Sequence, residues 1–208
     1  MVVNWPGKLR GLLYLKLASL LSVQVFVTYY GVNYITRNRS NVHDFYFDWE
    51  PAIPLVPAAA WAYLSIFILM LLPVFYLNCQ QMRLLARQMA FAMFIAGVVF
   101  LIFPCRVGYP PVSDLPTGIW LIKNIELPHT IFPSLHVALS SIIMLHLHRP
   151  FSPNGRLLLV AWLIALIASV MLTHQHHLAD VLGGLVLAWL CHRFTRREIS
   201  GARDRQST

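Results

Sequence analysis

His176 and Asp180 stand four residues apart in the run Thr173-His174-Gln175-His176-His177-Leu178-Ala179-Asp180. If a helix starts near them they share one face, close enough for the carboxylate to bond one imidazole nitrogen. That contact fixes the tautomer and leaves the other nitrogen as an outward lone pair, suited to attack on phosphorus or to abstraction of a proton. The same spacing also arises where an aspartate only complements a helix N-terminus. A second group is Pro133-Ser134-Leu135-His136. Proline suits the first turn of a helix, and the unpaired amides behind it form an anion-friendly end. Ser134 is then placed to donate to a phosphate oxygen and His136 to protonate a departing alkoxide; a serine-capped helix with its histidine on a polar neighbour is the plainer alternative. Third, Arg106 follows an apolar run and precedes Val107-Gly108-Tyr109-Pro110-Pro111. Its planar fork suits phosphate, and an interfacial arginine reaching lipid headgroups gives the same pattern.

The elements that must carry these groups are set by composition. Of the residues, 58% are hydrophobic and 12% charged, and the mean hydropathy is +0.62. A water-soluble core of this size needs no such excess, so the solvent is largely lipid. Spanning helices require roughly 20 mostly apolar residues. Six stretches qualify: 11–31, 57–77, 86–103, 134–147, 156–173 and 178–194, of which the fourth is the shortest. The first lacks a small-x-small cleavage site and is followed by five further spans, which favours an anchor over a cleaved signal peptide. Without a linker, repeat or low-complexity block, residues 1–208 read as one domain. The expected fold is an all-α integral membrane protein, a six-transmembrane-helix bundle with its chemistry at the extracytoplasmic membrane edge.

Orientation follows from the lysines and arginines, which are retained on the cytoplasmic side near span ends. With the N-terminus inside, Lys8, Arg10, Lys16, Arg83, Arg87, Arg149, Arg156, Arg193, Arg196, Arg197, Arg203 and Arg205 are cytoplasmic, leaving Arg37, Arg39, Arg106 and Lys123 outside. Both termini are then cytoplasmic, and all three groups of candidate residues fall at outer ends. The net charge of +8 is dispersed over loop ends, which topology and anionic headgroups explain without nucleic acid. Cys79 and Cys191 lie at the inner side and Cys105 at the outer one, so no disulfide is implied and no Cys/His metal spacing accompanies them.

In order and spacing, Arg106, Pro133-Ser134-x-His136 and His176-x-x-x-Asp180 followed by Val181-Leu182-Gly183-Gly184 resemble the type-2 phosphatidic acid phosphatase superfamily. The likeness is closest to its branch similar to inositol phosphorylceramide synthases and certain bacterial membrane phosphatases. Trp49-Glu50-Pro51-x-Ile53-Pro54-x-Val56-Pro57 and Gly97-x-x-Phe100-x-x-Phe103-Pro104 are similar to that branch too. The resemblance implies that His176 is the nucleophile forming a phosphohistidine, that Asp180 orients it, and that His136 is the general acid. Ser134 and Arg106 would hold the phosphoryl oxygens, with no metal and no cofactor.

The chain departs from the superfamily where its first motif has a lysine seven residues before an Arg-Pro pair and its third an arginine after serine. Here Val99 precedes Arg106 by seven, no proline directly follows that arginine, and Val170 follows Ser169. His174, Gln175, His177, Arg37 or Arg39 are the candidates to compensate for the missing cations. The first outer loop carries His43, Asp48, Trp49 and Glu50 beside Tyr46 and Phe47, either as an interfacial aromatic belt or as a headgroup site, and none of it is expected to be catalytic.

Three functions fit. A lipid phosphatase would let water attack the phosphohistidine, a phosphotransferase would let an acceptor alcohol intercept it, and a non-catalytic transporter or scaffold would use the histidines otherwise. An outer-facing site beside headgroups suits phosphatidic acid, phosphatidylglycerol phosphate, polyprenyl diphosphate, a phosphorylated glycolipid or a phosphorylated ceramide. The expected location is a bacterial inner membrane, with the site facing the periplasm or outside.

Overall fold

The structure is a computed structural model that describes residues 5–112, 115–125, 127 and 129–204. Helices occupy all six predicted stretches: α1 (Lys8–Thr36), the broken series α2 (Ala59–Leu64), α3 (Ile66–Leu71) and α4 (Pro73–Tyr76), then α5 (Cys79–Ile102), α7 (Leu135–Leu147), α8 (Pro153–Leu172) and α9 (Leu178–Asp204). Among the described residues four helices are long and apolar enough to cross a membrane: α1, the α2–α4 series, α5 and α8. Large apolar side chains such as Leu12 and Val23 on α1, Leu157 and Ile164 on α8, and Leu182 and Val186 on α9 point outward. Only a hydrocarbon solvent tolerates such a belt, and the chain is an α-helical membrane protein. Of the basic residues used for orientation, Arg205 lies outside the described residues.

Local chemistry sets the boundaries. Asn78 and Gln81 form a reciprocal capping box at the start of α5, each accepting from the other's backbone N–H at 2.9 Å. Ser152 caps α8 ahead of Pro153. The second predicted span is interrupted at Ser65, whose hydroxyl donates to Ala62 O and accepts from Trp162 Nε1, and again at Pro73, which has no amide to donate.

α7 sits in the middle, packed by α3, α5, α8 and α9, with every side chain from Leu135 to Met144 buried. Its 13 residues cover only about 20 Å at 1.5 Å per residue. A helix wrapped by others can be this short, since it presents little to lipid. Contact with α9 is made through small residues: a Cβ on Gly184 would lie 2.6 Å from Ser134 O, and one on Gly183 would lie 2.7 Å from the Phe132 ring. Backbones that approach this closely are a common means of helix association in lipid.

Two elements lie outside the sequence expectations. α6 (Thr117–Ile125) forms within the predicted loop between the third and fourth spans, burying Ile119 and Ile122 and exposing Trp120. A two-residue parallel ladder joins β1 (His43–Asp44) to β2 (Cys105–Arg106), pinning the first outer loop to the end of α5.

Candidate functional site

α8 ends in a tight reversal rather than running on. Thr173 N–H donates to Ser169 O, the N–H groups of Gln175 and His176 both reach Val170 O at 3.0 Å, and His174 takes the left-handed conformation at φ 58°. α9 then begins at Leu178, two residues beyond His176. His176 and Asp180 therefore meet across a turn, not along one helical face. Asp180 sits in the first turn of α9, where its Oδ2 accepts from His177 N–H at 2.7 Å, and the same oxygen lies 3.5 Å from His176 Nδ1. One carboxylate thus caps the helix and faces the imidazole, joining two roles that the spacing alone leaves as alternatives. Both side chains are about 1% exposed, and His176 Nδ1 and Asp180 Oδ1 make no hydrogen bond. His176 is held by its backbone at both sides, its carbonyl accepting from Tyr109 Oη–H at 3.2 Å.

Ser134 brings the second group to the same place. Its N–H donates to the Asp180 carbonyl at 3.0 Å, tying the N-terminus of α7 to that of α9. Its hydroxyl oxygen caps α7 by accepting from Val137 N–H at 3.3 Å, which leaves the hydroxyl proton available to a ligand. His136 stacks on Tyr63 with ring centroids 3.9 Å apart, and its Nε2 is buried and unpaired. The Ser134–Asp180 bond sets the start of α7, with His136 in its first turn, against the turn that carries His176. The structure therefore brings His136, Ser134, His176 and Asp180 together.

Arg106 is held elsewhere. Its guanidinium forks onto Asp44, with contacts of 2.7 and 2.8 Å at the exposed end of the ladder, and this pairing holds the Asp44 carboxyl below its usual range. His174 and Gln175 flank His176 but are engaged too. His174 Nε2–H donates to Ile53 O at 2.8 Å, and Gln175 Nε2 donates to Thr173 O at 2.7 Å. Burial pulls the His174 imidazole below its ordinary value. Cys105, the buried residue of β2, has its thiol pushed up to about 12 by burial, and all three cysteines are free thiols.

Sequence reasoning set Glu50 in an aromatic belt or a headgroup site of the first outer loop, and the structure buries it wholly. Glu50 Oε1 accepts from Leu178 N–H at 2.7 Å, the first amide of α9, and Oε2 accepts from Phe47 N–H at 3.0 Å. Oε2 is also 3.1 Å from His177 Nδ1, off the straight line of a hydrogen bond. Gly108 N–H donates to His177 Nε2 at 3.0 Å, so that nitrogen carries the lone pair and Nδ1 the proton. Burial keeps the His177 imidazole below its ordinary value, against the pull of Asp180 and Glu50. With Nε2 accepting from Gly108, His177 keeps no free ring lone pair. Tyr46, His177, Tyr109 and His174 stack in one column at centroid spacings of 4.5, 4.4 and 4.1 Å. Burial raises the Tyr109 phenol above its usual range. The signal for Glu50 was its place in Trp49-Glu50-Pro51-x-Ile53-Pro54, a carboxylate set in a run of apolar residues and prolines.

Below His136 a cleft of about 750 Å³ opens between α1, α3, α5 and α7, lined almost entirely by apolar side chains. Among the described residues no three His, Cys, Asp or Glu side chains are grouped as a metal ion would need. Comparison with family models, with curated proteins and with solved structures gives no match.

Proposed function

We propose that this chain is a membrane-embedded lipid phosphatase that works through a phosphohistidine, as its resemblance to the type-2 phosphatidic acid phosphatases implies. The observation that carries this reading is the meeting of a buried His–Asp pair with a second buried histidine from another helix, beside an apolar cleft. Ionisable groups at that depth are costly and point to function.

In this reading His176 Nε2 attacks phosphorus as the bond to the lipid oxygen breaks, and His136 gives its proton to the departing alkoxide. Asp180 faces Nδ1 and stabilises the imidazole as it gains positive character. The Ser134 hydroxyl and the first amides of α7 hold the phosphoryl oxygens. Water then attacks the phosphohistidine, His136 takes its proton, and inorganic phosphate leaves with His176 restored. An acceptor alcohol in place of water would make the protein a phosphotransferase through the same intermediate. The bundle has six spans in this proposal, with α7 and α9 joining the four long apolar elements. Both termini are cytoplasmic and the site faces the periplasm of a bacterial inner membrane.

The test is release of phosphate from detergent-dispersed lipid phosphates in excess chelator, by wild type and by His176→Ala. Chelator-resistant release abolished by the substitution is the expected result. No phosphate release from any lipid phosphate, together with no phosphoryl transfer to added acceptor alcohols, would sink the enzyme reading and favour a transporter or scaffold.

A further inference from the structure

The cleft beneath His136 follows one face of α1 from Tyr30 to Tyr14. The 16 residue steps between them correspond to about 24 Å of helix at 1.5 Å per residue. One leaflet's chains fill only about 15 Å of a 30 Å hydrocarbon core. The cleft is therefore too deep to be a niche for a headgroup or a melted chain end, and it has the length of an extended hydrocarbon chain. Its walls suit one. Met70, Met82, Met89 and Met93 line it, and their flexible thioethers adapt to a chain that lacks fixed shape. It has an outer end and a floor: His136 stands in the wall near the first, and at the second Tyr14 Oη–H donates to Met70 O at 3.1 Å, closing α1 onto α3.

We infer that this cleft is a length-selecting subsite for one extended hydrocarbon chain of the substrate, with small side chains on α1 setting how far the chain can run. The inference rests on the lipid phosphatase reading for the identity of the occupant. Continuity commits the cleft to that occupant, because a chain lying in it places its polar end at His136. Lipid tails are no more polar than the cleft, so the selection comes from packing rather than from escape from water. Ala18 and Ser22 are the points where the cleft can be filled. Ser22 lies eight residues and Ala18 twelve residues from Tyr30, or about 12 and 18 Å down the cleft.

The experiment uses the full-length protein in detergent micelles with octyl, dodecyl and octadecyl phosphates, comparing wild type, Ser22→Trp, Ala18→Trp and Leu20→Trp. Leu20 faces away from the cleft and is exposed, so it reports the effect of a new tryptophan on α1 alone. Ser22→Trp is expected to lower octadecyl turnover relative to octyl by about tenfold, equivalent to 1.4 kcal/mol. Ala18→Trp should spare dodecyl phosphate as well, and Leu20→Trp should leave the profile unchanged. Equal profiles in all four proteins, with phosphate still released, would overturn the inference while leaving the phosphatase reading intact. If no protein releases phosphate, the phosphatase reading fails, and the cleft is tested by binding. An octadecyl phosphonate with a terminal photoreactive diazirine should label the half of α1 or α5 nearest the cytoplasmic end, in competition with octadecyl phosphate, and should lose that labelling in Ala18→Trp. Labelling elsewhere, or labelling that octadecyl phosphate does not displace, would assign the cleft to bulk lipid and overturn the inference.

Discussion

Glu50→Gln isolates what the first outer loop does for the site. The Glu50 carboxylate accepts two backbone N–H bonds, from Leu178 at 2.7 Å and Phe47 at 3.0 Å, with no exposure to solvent. It thereby serves the first orphan amide of α9 from outside the helix and puts negative charge at that helix's positive end. Glutamine keeps one accepting oxygen and turns an NH₂ group toward the other N–H. A hydrogen bond to a charged group contributes about 1.5–3 kcal/mol, so losing one and leaving its donor buried costs about 2–3 kcal/mol. For a chain of this size that corresponds to roughly 4–12 °C in melting temperature. Glu50→Ala removes both bonds and should cost about twice as much. Thermal unfolding in detergent gives the first readout. Hydrogen exchange at the start of α9 gives the second, since Leu178 N–H should lose protection while the middle of α5 keeps it. If Glu50→Gln melts with wild type and exchange at Leu178 is unchanged, the carboxylate does not support the start of α9 and the argument for its positioning role fails.

Gly184→Ala would put a Cβ 2.6 Å from the Ser134 backbone oxygen, which cannot swing aside. A loss of about 1–3 kcal/mol in unfolding free energy is expected; on the proposed function it comes with a larger proportional loss of phosphate release, because the start of α7 with His136 moves away from the turn that carries His176. Arg106→Ala and Asp44→Ala should leave both melting temperature and KM unchanged, because the two side chains pair with each other at the surface; a raised KM in Arg106→Ala alone would instead assign that guanidinium to the phosphate. The depressed imidazoles of His174 and His177 predict acid sensitivity. Each folded value lies below the unfolded one of about 6.5, so their contribution is complete above that pH and is lost as pH falls from there through the folded values. A melting temperature that holds or rises between about pH 6.5 and 5 would contradict the burial of these rings.

The six helical stretches were legible because lipid leaves a one-dimensional record: runs of apolar residues broken by charge and proline mark where helices can lie. Candidate residues could be named for a related reason, since histidines, an aspartate and a serine at span ends have few structural excuses there. The break of the second span at Ser65 and Pro73 was only partly readable, because Ser65 acts through Trp162, 97 residues away. α6 escaped notice because a nine-residue interfacial helix has too few turns to separate its pattern from that of a loop.

Other properties of the site are tertiary. Spacing could not distinguish an Asp180 facing His176 from a helix cap, because the capping and the approach to His176 use one oxygen, and that overlap depends on where α8 reverses. Nor could it rank four neighbouring polar residues. His177 is disqualified by an amide from Gly108, 69 residues away, and His174 is committed to a carbonyl 121 residues away. The basic fork of Arg106 looked free until the β1–β2 ladder set Asp44 beside it. The sequence by itself determined the solvent, the helices and the residue types available for chemistry, because each is a property of short segments. Only the tertiary structure decided which nitrogens stay unpaired, since hydrogen-bond partners come from segments that meet when the bundle packs.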